Sequence, residues 1–416
     1  MQIYRDKEIY YGLLILMISR IFLGNEEVFF VLSLIYFFAC VSRTMKLRIP
    51  QMAGLKLYMT FIIYSTIIGF CLYSTRNVVR DLFYIVPTVL WIIIGYNLCA
   101  DNKTGKSLLK TLYLYGMVIS IKCVIDFLLN PTLDFNQIRI VFGTYVYDIG
   151  FLLPIMAFEM VILKRIIFST KVDRFILLLM IVQIGLSFGR IAILEPLIAF
   201  SIISILSIKS MENKGRTIKI LSGIFLALTI AVVVLFYALP DSTTSVFLAK
   251  IENSATEINT KQNIDSIASA MQNWRAYEMQ ATLKQWGKSG ILSQIFGHGM
   301  GKGIELEFVP YNWKSAGMVE NGEMPLAHNG FYTLLPKGGL FAVISMLLIF
   351  AGAIHKGFQM TKYENRDRKV SGIILISIMV AGFANMWVVR GAVCSEAFLV
   401  WGSILGWIYA EERHRG

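Results

Sequence analysis

The sequence alternates between long apolar runs and short charged clusters. Most runs approach the roughly 20 apolar residues that an α-helix needs to cross a bilayer. Four are shorter, namely the first two and the two that meet at Gly189 and Arg190, so each of these pairs can instead form one re-entrant or tilted unit. We predict an all-α, polytopic membrane protein with about twelve transmembrane helices, over residues 9–23, 28–41, 55–73, 82–99, 108–129, 142–163, 174–188, 191–208, 218–239, 331–354, 370–389 and 391–410.

Composition indicates the same class of protein. Hydrophobic residues make up 56% of the chain, charged residues only 16%, and mean hydropathy is +0.63. A water-soluble core cannot bury so much apolar surface. We therefore expect an integral membrane protein.

Lysine and arginine are unevenly distributed between the two sets of connections. If the N terminus is cytoplasmic, most of them lie in inside connections, and the short outside connections hold only Arg76, Arg80, Arg139, Arg190 and Arg390. The positive-inside rule therefore predicts that both termini are cytoplasmic. The net charge of +12 follows from this topology, and the sequence lacks the basic, aromatic-lined soluble face that would indicate nucleic-acid binding.

The cysteines and histidines form no recognisable framework. All five cysteines lie in apolar runs, so no disulfide framework is predicted. His355 and His414 fall inside, His298 and His328 fall outside, and no zinc-type spacing occurs, so we expect no metal site. The first apolar run ends at Arg20 without a small-residue cleavage site, which favours a retained helix.

One long polar segment divides the chain into three parts. We predict an N-terminal transmembrane bundle over residues 1–239, a large extracytoplasmic loop over 240–327, and C-terminal transmembrane helices over 328–416. A loop of this length usually contains helices of its own.

The clearest of these helices lies in NIDSIASAMQNWRAYEMQATLKQW. Its apolar residues recur at spacings of three and four, which predicts an amphipathic helix with Asn263 or Asp265 as the N-cap. Trp274 would anchor it at an interface, and Arg275 stands at the edge of the apolar stripe. From there Arg275 can reach either lipid headgroups or a site beneath the helix.

The stretch IFGHGMGKGIE follows this helix and contains four glycines at alternating positions, with His298 and Lys302 between them. Exposed N–H groups of such a stretch can bind an anion. It matches no established phosphate-binding pattern, so a plain turn is the alternative interpretation.

Charged residues in apolar runs are costly, at about 2.5–3.5 kcal/mol each in a bilayer centre, so they tend to pair or to face a cavity. Lys122 and Asp126 are spaced to pair with each other. Arg190, in LSFGRIAILEPL, either lines an outer cavity or extends to the interface. Arg390 and Lys337 stand near outer helix ends, where extension to the interface is the simpler explanation.

His328 precedes the helix in PLAHNGFYTLLPKGGLFAVISMLLIF, and Asn329 follows it. Histidine titrates near neutral pH, and Asn329 can orient either the ring or a substrate hydroxyl. A base beside fixed positive charges suits attack by a sugar hydroxyl on a diphosphate-linked carbon. A structural histidine is the alternative.

Three segments together resemble the O-antigen polymerase and O-antigen ligase family. LSFGRIAIL is similar to the family's serine-arginine-glycine segment, with Gly189 and Ile191 in the serine and glycine positions. NWRAYEMQATLKQW with IFGHGMGKG resembles its arginine-bearing amphipathic helix and Gly-x-Gly turn. AHNGFYTLLPKGGLFAV resembles its histidine-asparagine motif with a following glycine, here Gly339, while Ala342 replaces a second glycine.

The resemblance implies a metal-independent, cofactor-free, inverting glycosyltransferase in the cytoplasmic membrane of a bacterium, with its active site facing the periplasm. It implies that His328 is the general base, and that Arg190 and Arg275 bind the donor diphosphate. Their predicted outer placement adds Arg390, Lys302 and Lys337 to the diphosphate site. The expected partners are an undecaprenyl-diphosphate-linked oligosaccharide, membrane lipids and a chain-length regulator protein.

Polymerase and ligase share this chemistry and differ in acceptor, which is another lipid-linked repeat unit or a lipid A core sugar. We favour the polymerase, because the segments around Arg190 and His328 depart from the more regular ligase pattern. A flippase or transporter is the main rival, although the two halves of the chain show no matching repeat. A non-catalytic membrane scaffold is a further alternative.

Overall fold

The structure, a computed structural model, describes residues 2–44, 46–100, 105–132, 134–210, 260–309, 311–315, 319–320, 322–391 and 398–415. Every predicted apolar run in these ranges is largely helical. The predicted helix 218–239 and the first part of the long loop, 240–259, lie outside the described residues.

The described helices are α1 (Gln2–Leu23), α2 (Glu26–Thr44), α3 (Leu55–Leu72), α4 (Thr75–Cys99), α5 (Gly105–Leu129), α6 (Phe135–Gly143), α7 (Val146–Ala157), which continues into a π-helical turn (Phe158–Ile162), α8 (Thr170–Leu186), α9 (Arg190–Ser210), α10 (Ile267–Gln272), α11 (Trp274–Lys288), α12 (Ile291–Phe296), α13 (Tyr311–Ser315), α14 (Gly330–Thr361), α15 (Arg366–Val389) and α16 (Phe398–Arg415). Two short strands, β1 (Ile304–Glu305) and β2 (Glu323–Met324), pair antiparallel with Ile304 opposite Met324.

Among the described residues, six helices are long and apolar enough to cross a membrane. They are α3, α4, α5, α9, α14 and α15. A seventh crossing is possible if residues 136–143 and 146–162, which are bent by 62° at their junction, form one broken span. These helices suit a membrane protein, and they cover half or slightly more of the twelve crossings that the sequence predicts.

Glycines allow α4 and α16 to pack closely. A Cβ built on Gly95 of α4 would lie 2.4 Å from the carbonyl oxygen of Ser403, and one built on Gly406 of α16 would lie 2.2 Å from that of Ile92. Close backbone approach through small residues is a common way for apolar helices to associate in a membrane.

Buried polar pairs join other helices of the bundle. Arg20 of α1 donates to Asp148 of α7 at 2.9 Å and to the Tyr115 hydroxyl of α5 at 3.1 Å, and all three side chains are buried. Asn385 of α15 donates to Glu195 of α9. Asp148 and Glu195, two acidic residues within predicted apolar runs, therefore pair with side chains of neighbouring helices.

Described residues between 260 and 327, which we call the cap, cover one end of the bundle. The cap has a small core of its own, built from Ala270, Tyr277, Ile304, Trp313, Val319, Met324 and Ala327. The predicted amphipathic helix is present but is broken at Asn273 into α10 and α11. Its N-cap is Ser266 rather than Asn263 or Asp265, because the Ser266 and Ser269 side chains each accept from the other's backbone N–H.

The cap binds the bundle where α14 is broken. Gly339 of α14 has φ 60° and ψ −159°, which interrupts the helical hydrogen bonds shortly after Pro336. Protein donors bind the three carbonyl groups at residues 336–338, so no orphaned acceptor is left there. These donors are the backbone N–H groups of His298 and Gly299 and the hydroxyls of Tyr64 and Ser65, at 2.9–3.1 Å.

A buried ion pair stands beside this break. The Lys337 ammonium lies 2.5 Å from a carboxylate oxygen of Asp81 in α4, and neither side chain is exposed. Lys337 also donates to the Lys302 carbonyl at 2.8 Å, and the Gly301 N–H donates to the same Asp81 oxygen at 2.7 Å. The glycine-rich stretch therefore binds an anion, but the anion is a carboxylate of the protein itself.

We predict that Asp81→Asn destabilises the protein by about 3–5 kcal/mol, because it leaves the buried Lys337 charge uncompensated while keeping an acceptor for Gly301. The double variant Asp81→Asn/Lys337→Met removes that charge and should recover most of the loss. Unfolding in detergent measures both effects.

The Lys122–Asp126 pair, which the sequence predicts and the structure contains, is only half-buried and provides the control. Asp126→Asn should change stability by no more than about 1 kcal/mol. Equal effects of Asp81→Asn and Asp126→Asn would contradict the structural role of the buried pair.

Candidate functional site

A cavity of about 700 Å³ opens between the cap and the bundle. It is lined by α4 residues, by α11 and by the segments before α14 and after α15. Its charged and titratable lining residues are Glu27, Arg76, Arg80, Tyr84, Glu278, Glu320, His328 and Arg390. We call it the His328 cavity.

Glu278 of α11 holds the His328 ring in one orientation. Its buried carboxylate accepts from the His328 backbone N–H at 2.7 Å and lies 3.0 Å from ring Nδ1. Because an ionised carboxylate only accepts hydrogen bonds, we assign the ring proton to Nδ1. Nε2 of the neutral ring is then free of a proton, which is the state a general base requires.

Trp274 packs edge-on against the same ring, with centroids 3.7 Å apart and ring planes at 70°. The His328 side chain is nevertheless 19% exposed, so the cavity reaches it. Trp274 and Glu278 are four residues apart and lie on one face of α11. The amphipathic helix thus supplies both contacts that position the histidine.

The pKa of His328 reflects this mixed environment. Burial lowers the pKa below the ordinary value of 6.5, the Glu278 carboxylate raises it, and the charges of Arg390 and Arg275 lower it. The net shift is downward. The ring is therefore neutral at neutral pH, as the sequence-based role of general base demands.

Arg390 and Arg80 bring positive charge to the cavity. Arg390 follows α15 directly, and its Nε atom is buried without a hydrogen-bond partner among the described residues. Arg80 of α4 lies 3.6 Å from Glu320, and its neighbour one turn earlier, Arg76, lies 3.5 Å from the same carboxylate. Glu320 therefore occupies both arginines in this structure.

Neither of the two remaining predicted arginines, Arg275 and Arg190, lines the cavity. The Arg275 guanidinium packs over the Trp274 ring at 5.6 Å from its centroid and acts on His328 through its charge. Arg190 is the first residue of α9. Since Glu195 of α9 binds Asn385 of α15, Arg190 stands at the same end of the bundle as Arg390.

Three other predicted site residues have different surroundings from those expected. Asn329 caps α14 through Phe331 and Tyr332 and donates to the Trp387 carbonyl at 2.8 Å, so its polar groups are engaged away from the substrate space. Lys302 pairs with Glu305 and Glu323 at 2.7 and 2.8 Å. Lys337 is buried against Asp81. None of the three lines the His328 cavity, and we leave them out of the proposed site.

Sequence reasoning missed Glu278, Arg76, Arg80 and Glu320. Arg76 and Arg80 could have been recognised from the sequence, because they are four residues apart in the outside connection just before the predicted helix 82–99. Glu278 could not have been, since it is fifty residues from His328. In the described part of the chain, no three His, Cys, Asp or Glu side chains converge as a metal site would require.

No protein-family model and no curated protein matches this sequence. The geometry of the His328 cavity and the three resembling segments are therefore the features that bear on function.

We predict that Glu278→Gln lowers the pKa of His328 further, because it removes the negative charge that favours the protonated ring. NMR titration of labelled histidine, with the signal assigned through His328→Gln, measures the change. In the wild type the pKa of His328 is lower in the folded protein than the value of 6.5 in the unfolded chain, so the unfolded chain binds more protons between these two pKa values. The contribution of His328 to the free energy of unfolding is therefore lost as pH falls from 6.5 through the folded pKa.

Glu307→Gln provides a matched control, since Glu307 is an exposed cap carboxylate paired with Lys284. It should leave the His328 titration unchanged. A His328 pKa above 6.5 in the wild type, or an equal response to both substitutions, contradicts the assignment of Glu278.

Proposed function

We propose that the protein is a glycosyltransferase that joins undecaprenyl-diphosphate-linked oligosaccharide repeat units into a polysaccharide. One observation carries the proposal: a histidine oriented by a buried carboxylate shares a cavity with Arg390, which has an unpartnered Nε atom among the described residues, and with Arg76 and Arg80, which Glu320 binds. This combination supplies both a proton acceptor and a site for a departing diphosphate.

In the proposed reaction, the acceptor sugar hydroxyl attacks the anomeric carbon of the donor. The new carbon–oxygen bond forms as the bond from the anomeric carbon to the diphosphate oxygen breaks, and the bonding electrons leave with undecaprenyl diphosphate. His328 Nε2 takes the hydroxyl proton, and the resulting imidazolium is stabilised by Glu278 at Nδ1. A single displacement of this kind inverts the anomeric carbon.

Arg80 and Arg390 are the strongest candidates for binding the diphosphate, because both line the His328 cavity. The planar guanidinium matches phosphate oxygens in a bidentate manner. Arg275, which the resemblance assigns to this role, would add positive potential from just outside the cavity. Arg190, which the resemblance also assigns to it, would add its charge from the same end of the bundle. Together these charges would favour the leaving group.

Aromatic side chains form the other walls of the cavity, namely Phe83, Tyr84, Trp274 and Trp313. Sugar rings present C–H faces that pack on aromatic rings, while their hydroxyls need polar partners. A cavity with both kinds of surface suits an oligosaccharide better than a purely ionic substrate.

The proposal includes a topology of twelve transmembrane helices with both termini in the cytoplasm of a bacterium. The cap would then belong to the extracytoplasmic loop, and the His328 cavity would face the periplasm. The Lys/Arg distribution and the three segments that resemble O-antigen polymerases and ligases support this arrangement.

The break in α14 deserves comparison with transporters, in which broken helices often bind the transported substrate. Here the carbonyls at residues 336–338 are bound by protein groups, and Lys337 is bound by Asp81. The break thus serves to attach the cap, and this favours the enzyme over a flippase.

We expect His328→Ala to leave only single repeat units on a gel ladder of glycans, in a deletion strain complemented at matched membrane levels. Loss of a general base typically costs about 10²–10⁴ in rate. Arg390→Ala and Arg80→Ala should shorten or abolish the ladder because they weaken leaving-group stabilisation.

His355→Ala is the matched control, because His355 hydrogen bonds Gln359 on an exposed face of α14, far from the cavity. It should leave the ladder intact. Polymer that forms but fails to reach its lipid A acceptor would identify a ligase, and unaltered glycans in all variants would refute the proposed site.

We also predict that Glu320→Gln tightens binding of farnesyl diphosphate several-fold, since the carboxylate competes with an incoming diphosphate for Arg76 and Arg80. Arg80→Gln should weaken binding about tenfold or more, as expected for a lost charge-assisted hydrogen bond. Titration of the purified protein in detergent measures both.

Glu307→Gln, which changes a cap carboxylate outside the cavity lining, should leave affinity unchanged. Weaker binding by Glu320→Gln would show that Glu320 supports the site instead of competing for it.

A further inference from the structure

A second cavity, of about 590 Å³, lies at the opposite end of the bundle. It is lined by the start of α5, the segment after the π-helical turn, the start of α15 and the end of α16. The 24 residues of α15 separate it from the His328 cavity by about 36 Å of helix. The proposed glycosyl transfer makes no use of it.

Two polar groups of the lining do not take part in recognition. The Tyr113 hydroxyl and the Trp407 indole N–H have no hydrogen-bond partner in the structure as described, but both atoms are buried, so a ligand in the cavity cannot reach them. Recognition therefore depends on the charged side chains of the lining.

Two lysines at the mouth add positive charge. Lys106 and Lys110 are exposed, and neither forms an ion pair with any residue that the structure describes. Lys106, Lys110 and Tyr113 follow one another at spacings of four and three, which puts them on one face of α5. Lys106 and Lys110 therefore form a pair of cationic donors suited to phosphate oxygens.

The opposite wall is acidic. Two of its carboxylates, Glu159 and Asp367, form ion pairs with Arg165 at 3.2 and 2.5 Å. Glu411 accepts a hydrogen bond from Ser371 at 3.1 Å but has no cationic partner within the described ranges. A ligand that carries an ammonium group beyond its phosphate would match Glu411 and leave the cavity electrically balanced.

Apolar residues complete the lining. Leu109, Ile166, Ile167 and Val370 lie next to the charged groups, and Ile166 is 66% exposed. Because α5 and α15 are long and apolar enough to cross a membrane, their ends belong at the height of lipid headgroups. Acyl chains would follow the apolar residues, while a headgroup enters the cavity.

We propose that this second cavity binds a phospholipid whose headgroup carries a primary amine, as phosphatidylethanolamine does. The phosphodiester contacts Lys106 and Lys110, and the ammonium contacts Glu411. The site would fix the ends of α5, α15 and α16 to one another through the lipid.

Thermal unfolding of the delipidated full-length protein in detergent tests the proposal. Added phosphatidylethanolamine should raise the unfolding midpoint through binding to the folded state, more than phosphatidylglycerol or phosphatidylcholine does. Lys106→Gln/Lys110→Gln should weaken the apparent affinity for this lipid about tenfold or more while leaving the lipid-free midpoint unchanged.

Lys171→Gln/Lys362→Gln is the matched control, since it removes two exposed lysines that do not line the cavity. It should retain the full response to phosphatidylethanolamine. Equal stabilisation by phosphatidylglycerol overturns the assignment of the amine, and equal stabilisation by soluble phosphoethanolamine overturns the assignment of a lipid. An unchanged response in Lys106→Gln/Lys110→Gln overturns the site itself.

Discussion

The contact between the cap and the broken helix α14 determines how the remaining site is built. A helix interrupted within an apolar bundle leaves carbonyl groups without partners, and these are costly away from water. The glycine-rich stretch supplies N–H groups for them at His298 and Gly299, and its Gly301 joins the Asp81–Lys337 ion pair. The cap is thereby fixed on the bundle, and through α11 it delivers Glu278 to His328.

Two electrostatic demands on His328 oppose each other. The arginines that would stabilise a departing diphosphate in the proposed reaction also disfavour a proton on the ring, and burial acts in the same direction. Glu278 offsets part of this, since its carboxylate favours the imidazolium that forms when the base accepts a proton. The histidine stays neutral before reaction, yet its conjugate acid retains a partner.

Local sequence patterns predicted the features that depend on local chemistry. The helices follow from the apolar runs, the Lys122–Asp126 pair from a spacing of four, and the position of His328 just before α14 from the apolar run that follows it. Contacts between distant residues left no such signal. Asp81 and Lys337 are 256 residues apart, and the anion near the glycine-rich stretch was therefore not recognisable as an internal carboxylate. Asn329 illustrates a different difficulty. An asparagine before a helix can act as its N-cap or as a substrate ligand, and the local sequence is the same in both cases.

The buried polar pairs also bear on whether the bundle has one arrangement or two. Arg20 joins α1 to α5 and α7, Glu195 joins α9 to α15, and Asp81 joins α4 to α14. Separating either of the two ion pairs without new partners leaves uncompensated charge in an apolar medium, at about 3–5 kcal/mol for each. Separating Asn385 from Glu195 leaves buried polar groups unpaired, at about 1–3 kcal/mol. Alternating access requires one part of a bundle to move against another, and three such ties between helices oppose that motion. A fixed bundle that presents an oriented base and cations at one end is better suited to catalysis at a stationary site.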